Sequence, residues 1–204
     1  MIERVPYQNG SWGQSETVVF KMTEHGSKIV PLAEFHTFVV RCMGAVGISE
    51  DDAGALAELL VSADYRGHYS HGLNRLQMYI NDVKSGTTAG DAKPEIVKET
   101  IATALVDGNN VLGPVVGRFC IDLAIKKAKE AGIGWVSARN SNHFGIAGWY
   151  GLRAVDSGMI GMAFTNTSPL LVPTRAKSSS ACQNLLDVLL LRINVYVVSV
   201  HTEL

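Results

Sequence analysis

Apolar side chains recur every three to four residues over the first part of the chain, which is the spacing of amphipathic helices. Three such stripes, separated by glycines, cover residues 31–46, 50–64 and 70–85. Ser49 precedes a run of acidic residues and Ser70 precedes the third stripe, so we predict that both hydroxyls cap a helix start. The sequence therefore predicts a lobe of helices in this part of the chain.

Beyond Gly90, short apolar runs alternate with helical patterns. Strands are predicted at 96–98, 103–106, 133–138 and 159–165, and helices at 114–131 and 146–156. In the first of these helices, Lys126, Lys127 and Lys129 are predicted to face solvent. The succession of strand, helix and strand is typical of an α/β fold. Because no Gly-x-Gly-x-x-Gly sequence follows a strand, we do not expect a doubly wound Rossmann fold.

The two ends of the chain lack this organisation. Residues 1–28 carry polar and charged side chains before any apolar run, so we expect no signal or transit peptide and little fixed structure. Near the other end, residues 185–200 form a run rich in leucine and valine. Two interpretations stay open: a segment foreign to the ancestral domain, or a final core helix and strand. The run is shorter than the roughly 20 apolar residues that span a bilayer, so we expect no membrane anchor.

Composition narrows the class of partner. The 204 residues are 47% hydrophobic and 18% charged, with a formal net charge of -1, so no basic surface is expected to attract nucleic acid or an anionic membrane. The three cysteines, Cys42, Cys120 and Cys182, form no Cys-x-x-Cys pair. This usage favours a reducing compartment, and we expect the protein to be cytoplasmic.

A polar stretch at the predicted start of the third helix carries the first candidate chemistry. His71 follows Ser70 there, and the positive end of the helix dipole should keep its imidazole neutral. Arg75, four residues on, is expected on the same helix face, and its guanidinium is suited to a carboxylate. The group is able to bind a 2-oxo or 2-hydroxy acid. It is also compatible with a helix cap beside a surface ion pair, and the residues alone leave both open.

The second candidate is His143, which lies between a predicted strand and a predicted helix. Ligands bind at this end of the strands in many α/β proteins. Gly145 leaves room for a cofactor near the backbone, and the helix start offers N–H groups to a phosphate. A loop histidine that satisfies local backbone groups is the alternative. No metal site is expected from His68, His71 and His143, because no carboxylate or cysteine accompanies them at a supporting spacing.

Several separated motifs resemble, in the same order, those of the malate/L-lactate dehydrogenase family: residues 63–72 (ADYRGHYSHG), Arg75, Tyr79, 107–109 (DGN), 140–145 (NSNHFG) and 165–169 (TNTSP). This non-Rossmann group also includes ureidoglycolate and sulfolactate dehydrogenases and diketogulonate reductase. The similarity extends over residues 29–177. Several motifs in order are more specific than any one of them.

The resemblance implies transfer of a hydride between NAD or NADP and a small 2-hydroxy acid or its 2-oxo form, in a homodimer. It implies an α/β (α+β) fold with an N-terminal helical lobe and a mixed, largely antiparallel sheet flanked by helices. His71 and His143 would be the acid/base residues, Arg75 would anchor the substrate, and Ser70 would contact the substrate or His71. Cofactor contacts are implied for His143, Phe144, Gly145, Thr167, Ser168 and Pro169.

The chain departs from the family pattern after Lys177. Family members continue with a Leu/Ile-Gly-Thr-Asn-Pro motif and a further cofactor-binding portion, and this chain has SSSACQN and a short end instead. We therefore expect four parts: a poorly structured segment 1–28, a helical substrate and dimer lobe 29–90, a partial cofactor-binding domain 91–177, and a divergent tail 178–204. A dehydrogenase and a truncated, non-catalytic fragment that only dimerises or is unstable both stay open.

Overall fold

The structure of the chain is a computed structural model that describes residues 17–22, 26–165, 185–189 and 195–200. Strands β1 (Thr17–Met22) and β2 (Gly26–Pro31) form an antiparallel hairpin. The expectation of little fixed structure before residue 29 is therefore wrong for this stretch. Its valines, phenylalanine and isoleucine favour strands, and a hairpin lets the two strands satisfy each other's backbone groups.

Three α-helices follow and form the predicted lobe. They are α1 (Leu32–Gly44), α2 (Glu50–Tyr65) and α3 (Leu76–Lys84). The predicted cap at the start of α2 is confirmed, since the Ser49 hydroxyl accepts the backbone N–H of Asp52 at 3.3 Å. The later part of α2 is buried on all sides and joins the lobe to the rest of one continuous hydrophobic core.

The third helix begins later than the sequence predicts. Two short 3₁₀ turns, Tyr69–His71 and Leu73–Arg75, precede α3, and Gly72 lies between them. Ser70 lies inside the first turn and makes no helix cap, so that prediction is wrong. The physical reason is the close contact between Gly72 and the carboxyl group of Asp64 in α2. This contact bends the chain where an α-helix would run straight.

The second half of the described chain forms a six-stranded sheet with helices between its strands. Its elements are β3 (Glu95–Glu99), β4 (Thr103–Asp107), α4 (Gly113–Ala131), β5 (Trp135–Arg139), α5 (Ala147–Asp156), β6 (Ile160–Thr165), β7 (Leu185–Leu189) and β8 (Val195–Val200). The strand order is β3-β4-β5-β8-β6-β7. Both the mixed sheet and the absence of a doubly wound arrangement agree with the prediction.

The expected antiparallel majority is not present in the strands described. The pairs at the two edges, β3 with β4 and β6 with β7, are antiparallel, and the three central pairs are parallel. A helical crossover returns the chain to the same end of the sheet, so β4 and β5, joined by α4, run in the same direction. The sheet therefore has a parallel centre and antiparallel edges.

The tail contributes two of these strands. β8 lies between β5 and β6 and is parallel to both, and β7 pairs with the outer side of β6. One interpretation of the tail is a final core helix followed by a strand. The strand is present as β8, but residues 185–189 form a strand and not a helix. The rest of the tail lies outside the described residues, and the division of the chain into four parts stays a prediction.

Helix α4 matches its prediction at both ends. Pro114 occupies its first turn, and Gly132 ends it in the left-handed conformation with a φ of 81°. One of its predicted solvent-facing lysines is buried, however. The ammonium of Lys127 contacts Glu99 at 2.8 Å and the carbonyl oxygen of Thr100 at 2.6 Å, which ties α4 to the edge strand β3. A long side chain with two partners can be buried where periodicity indicates the surface.

Candidate active site

The loop after α2 carries the first histidine. Gly67 has a φ of 81°, and the backbone N–H of His68 returns to the carbonyl oxygen of Ala63 at 2.8 Å. The Ser70 hydroxyl lies 2.8 Å from Nδ1 of His71, and Nε of Arg75 donates to the carbonyl oxygen of Ser70 at 2.7 Å. The predicted group of Ser70, His71 and Arg75 is therefore assembled within one loop. We name residues 66–75 the serine loop.

The geometry of this group differs from the helical arrangement predicted for it. His71 and Arg75 belong to successive 3₁₀ turns and not to one face of a helix. The pKa of His71 is lowered, first by burial and then by the positive charges of Arg75 and His68. The expected neutral imidazole is retained, but its cause is burial and neighbouring charge, not a helix dipole.

The loop between β5 and α5 carries the second histidine, at the carboxyl end of the strand as predicted. The side-chain amide of Asn142 donates to the carbonyl oxygens of Asn110 at 2.7 Å and Val111 at 3.1 Å. Gly113, the first residue of α4, lies so close that a Cβ there would overlap the carbonyl oxygens of Asn142 and His143. This loop, residues 140–146, is therefore held by close packing against the backbone at Gly113 and by a side-chain amide, and we name it the asparagine loop.

Glycine and hydrogen bonds also fix both ends of the asparagine loop. Asn140 has a φ of 52°, and its amide donates to both oxygens of Asp107 at 3.0 and 3.1 Å. Gly145 has a φ of 74°, and a Cβ there would overlap the side chain of Leu59 in α2. The loop thus follows a path that few other residues would permit.

His143 is largely buried within this loop. The hydroxyl of Tyr79, from α3, lies 2.6 Å from its Nδ1. The pKa of His143 is lowered to about 4, with burial as the main cause and proximity to His71 and to the positive charge of Arg75 adding to it. Burial also raises the pKa of Tyr79, so the phenol keeps its proton. Both groups are neutral at ordinary pH, and the hydrogen bond occupies Nδ1 of the histidine.

The two loops bring the two histidines together. Their ring centroids are 5.7 Å apart and their planes are inclined by 21°. Tyr79 meets His143 edge to face, with ring centroids 5.5 Å apart. Because Ser70 and Tyr79 occupy the Nδ1 atoms of the two rings, the Nε2 atoms are the ones left for a ligand. The site therefore contains two neutral imidazoles beside one guanidinium.

The remaining predicted site residues have different placements. Phe144 is buried and its ring stacks on Tyr150 at 3.9 Å between centroids, and Gly145 packs on Leu59. Both shape the loop, and their contact with a cofactor stays a prediction. Thr167, Ser168 and Pro169 lie outside the described residues.

Two side chains that hold the site, Tyr79 and Asp64, received no role from the sequence. Tyr79 belongs to an apolar stripe, and only its resemblance to the family motif marks it. Asp64 lies at the end of α2 and is buried, with Oδ2 accepting the backbone N–H of Leu73 at 2.8 Å. A carboxylate among the apolar residues of α2 was the available signal for this second group, because buried acids need a partner.

In the ranges that the structure describes, no helix combines enough length and apolarity to cross a membrane. Across those same residues, His, Cys, Asp and Glu side chains form no group of three or more that is suited to a metal ion. Cys42 and Cys120 are free thiols, and burial raises the pKa of Cys120 to about 12. The two loops and α3 bring histidine, tyrosine, serine and arginine side chains to the site.

Comparison with known proteins decides the family. The profile of malate/L-lactate dehydrogenase matches residues 30–186. The chain belongs to this family. A malate dehydrogenase of Pyrococcus horikoshii is 48% identical over 145 residues, which are 71% of this chain and 40% of that protein. A malate/(S)-sulfolactate dehydrogenase of Methanothermus fervidus is 41% identical over 149 residues, or 73% of this chain and 44% of that protein.

A solved structure shows the same fold. The malate dehydrogenase structure from Pyrococcus horikoshii superposes with a TM-score of 0.76 at 38% identity, covering 92% of this chain and 49% of that one. The chain thus spans less than half the length of these dehydrogenase relatives. The matched family region includes both the serine loop and the asparagine loop. Membership of a dehydrogenase family and a non-Rossmann fold are both established by these matches.

Proposed function

We propose that this chain carries the acid/base and substrate-anchoring part of an NAD(P)-dependent oxidoreductase. The reaction is hydride transfer between a nicotinamide and a small 2-hydroxy acid or its 2-oxo form. The observation that supports it most directly is the pair of neutral histidines, 5.7 Å apart between ring centroids, beside Arg75. A 2-oxo acid presents a carboxylate and a neighbouring carbonyl oxygen, which match one guanidinium and one imidazole.

Arg75 is the substrate anchor in this proposal. Its Nε is used by the carbonyl oxygen of Ser70, and the structure gives its two Nη atoms no partner among the described residues. A planar guanidinium held at Nε presents two N–H donors in a fixed direction, which suits the two oxygens of a carboxylate. A lysine would keep the charge but not this geometry.

The histidines manage the proton of the substrate oxygen. Oxidation of a hydroxy acid releases a proton, and reduction of an oxo acid consumes one. In the oxidation, a neutral imidazole with its hydrogen on Nδ1 accepts the proton at Nε2, and in the reduction the imidazolium form returns it. The phenol of Tyr79 accepts from Nδ1–H of His143 and so holds that ring in the required tautomer. His71 is held in the same manner by Ser70. Both histidines remain candidates for the proton carrier.

One feature of the asparagine loop fits a bound cofactor. The hydroxyl of Ser141, two residues before His143, is buried and has no hydrogen-bond partner among the described residues. Buried hydroxyls are normally paired, so this group suits a polar group of a ligand. Ser141 and His143 would hold a nicotinamide with Phe144, Gly145, Thr167, Ser168 and Pro169. The nicotinamide, when bound, supplies or accepts the hydride.

The proposal extends to the whole protein. Relatives named as malate, sulfolactate and 2,3-diketo-L-gulonate enzymes indicate a small oxo or hydroxy acid as the substrate, with NAD or NADP as the cofactor. We further propose a cytoplasmic homodimer without nucleic-acid or membrane partners. A non-catalytic fragment that only dimerises or is unstable is the second candidate; the chain spans 40% of the first of these relatives.

The test is a steady-state assay of NADH and NADPH oxidation with oxaloacetate, pyruvate, sulfopyruvate and 2,3-diketo-L-gulonate. Arg75→Lys should raise KM on the order of tenfold to a hundredfold, because a charged hydrogen bond contributes about 1.5–3 kcal/mol. Arg41→Lys, at the exposed end of α1, is the matched control and should leave KM unchanged. A folded chain without activity on any of these acids would favour the non-catalytic candidate.

A further inference from the structure

Asp64 is a buried acid that the proposed reaction does not use directly. It lies in the last turn of α2 with 3% of its surface exposed. The backbone N–H of Leu73 donates to its Oδ2 at 2.8 Å, and this is its only side-chain hydrogen bond among the described residues. Burial raises the pKa of Asp64 and the bond from Leu73 opposes that rise. Burying a carboxyl group costs desolvation free energy, so we look for a structural role that its contacts serve.

The carboxyl group of Asp64 lies directly against Gly72. A Cβ on Gly72 would overlap the carboxyl carbon and both oxygens of Asp64. Only a residue without a side chain allows this approach, and the N–H of the next residue, Leu73, then points at Oδ2. Gly72 and Asp64 are therefore matched to each other across the serine loop.

This contact lies at the bend between the two 3₁₀ turns. His71 closes the first turn immediately before Gly72, and the backbone N–H of Arg75 bonds to the carbonyl oxygen of Gly72 at 2.9 Å in the second. At its beginning the serine loop is fastened to the end of α2 by the bond from His68 to Ala63. Asp64 provides the second attachment, in the middle of the loop, between the two functional side chains.

We propose that Asp64 is a positioning residue that acts through Gly72 and Leu73 to set the relative placement of His71 and Arg75. The importance of this placement for catalysis rests on the proposed function. The placement itself rests only on the contacts of Asp64 with Gly72 and Leu73. A carboxyl oxygen accepts the Leu73 N–H whether or not the other oxygen carries a proton. An asparagine offers the same acceptor, and a leucine of similar size offers none.

The experiment compares Asp64→Asn, Asp64→Leu and Gly72→Ala in the full chain by NMR with isotope-labelled histidine. The readout is the cross-relaxation between the ring protons of His71 and His143 and the pH titration of each ring. Asp64→Asn should keep the ring contact and both titrations. Asp64→Leu and Gly72→Ala should both lose the contact, and His71 should titrate closer to its ordinary pKa. Asp91→Leu, at an exposed position, is the control for a generic loss of an acid.

Three results would overturn the proposal. The first is an intact ring contact in both Asp64→Leu and Gly72→Ala. The second is a titration of His71 that moves in Asp64→Asn, because Asp64 would then act by its charge. The third is that Asp64→Leu and Gly72→Ala both lose the ring contact only because they are unfolded, which thermal unfolding of each variant records. Gly72→Ala keeps the test valid if Asp64→Leu does not fold, since it disturbs the same contact from the other side.

An activity arm separates this proposal from the proposed function. If the wild-type chain reduces 2-oxo acids, Asp64→Leu should raise KM about tenfold, because it misplaces Arg75, and Asp64→Asn should stay within about threefold. Equal values for Asp64→Leu and the wild type would contradict the positioning role. If the wild-type chain has no activity, the proposed function fails while the NMR result still decides the role of Asp64.

Discussion

The serine loop and the asparagine loop meet at one site but are held by different means. Close packing holds the asparagine loop, because Gly113 and Gly145 leave no room for a Cβ, and the amides of Asn140 and Asn142 add hydrogen bonds to it. Side-chain oxygens hold the serine loop, through Asp64 at Leu73 and Ser70 at His71. One histidine is thus fixed by the core of the molecule, and the other by polar contacts nearer its surface.

The difference determines how each loop should respond to change. Packing against backbone tolerates no added volume, so a single methyl group is expected to be costly in the asparagine loop. A hydrogen bond contributes less and can be replaced by another acceptor, so the serine loop should respond in smaller steps to the loss of a side-chain partner, although Gly72 also leaves no room for a Cβ.

Gly113→Ala should break the asparagine loop. Its Cβ would meet the carbonyl oxygens of Asn142 and His143, which cannot move without displacing the histidine. We expect a loss of about 3 kcal/mol in the free energy of unfolding. Urea denaturation measures it. Gly54→Ala in α2, where the added Cβ has open space, is the control and should gain up to about 1 kcal/mol. Equal stability of Gly113→Ala and wild type would contradict the packing account.

Acid should weaken the fold through His143. The unfolded histidine takes up a proton near pH 6.5 and the folded one near pH 4, so the unfolded state holds more protons between these values. Stability is therefore fully present above pH 6.5 and is lost as the pH falls towards 4, by up to about 1.4 kcal/mol per pH unit. Asp64, whose pKa is raised, acts in the opposite sense.

Comparison with His143→Gln isolates this contribution, because the other titrating groups are common to both proteins. Denaturation of each at several pH values between 4 and 7 gives the difference. Identical slopes for the two proteins would show that His143 is not buried in its neutral form.

Tyr79→Phe should remove the hydrogen bond that holds the ring of His143. The change removes the hydroxyl at Nδ1 of His143 and costs about 1 kcal/mol of stability. We also expect the ring to populate both tautomers, which the nitrogen chemical shifts of labelled histidine report. Tyr150→Phe is the matched control, since its hydroxyl bonds the carbonyl oxygen of Phe144 at 2.6 Å in the same loop. A tautomer change of the same size in both variants would remove the special role of Tyr79.

Ser70→Ala should have the smallest effect. The hydroxyl is exposed, so its loss from Nδ1 of His71 should cost a few tenths of a kcal/mol in stability. If the chain is active, the rate should fall about threefold, which corresponds to roughly 0.7 kcal/mol. Ser85→Ala, at the end of α3, serves as the control. A fall of a hundredfold would make Ser70 a direct partner of the substrate and not only a support for His71.

Local pattern predicted most of the elements but not the bend in the serine loop. The bounds of α2 and α4 follow from a capping serine, a proline in the first turn and a terminal glycine, all of which act within a few residues. The turn at Gly72 depends on a carboxylate from another element, so periodicity predicted a continuous helix there. The burial of Lys127 has the same kind of cause, a partner on a distant strand.

The sequence was sufficient to indicate which residues belong to the candidate site, but not how they are arranged in space. His71, Arg75 and His143 were each indicated by residue type and by resemblance to a family. That the two rings stack, and that Tyr79 supports one of them, depends on packing between residues far apart in the sequence. The parallel centre of the sheet likewise depends on where the crossovers and the tail strands lie.

The central claim is that the two loops form one nicotinamide-dependent site, and direct cofactor binding tests it first. NADH and NADPH are titrated into the purified full chain, with fluorescence as the readout, and His143→Ala is measured alongside. The account predicts saturable binding of at least one cofactor by the wild type, weakened about tenfold or more by His143→Ala, the loss of about 1.4 kcal/mol. A folded wild-type chain that binds neither cofactor would contradict it.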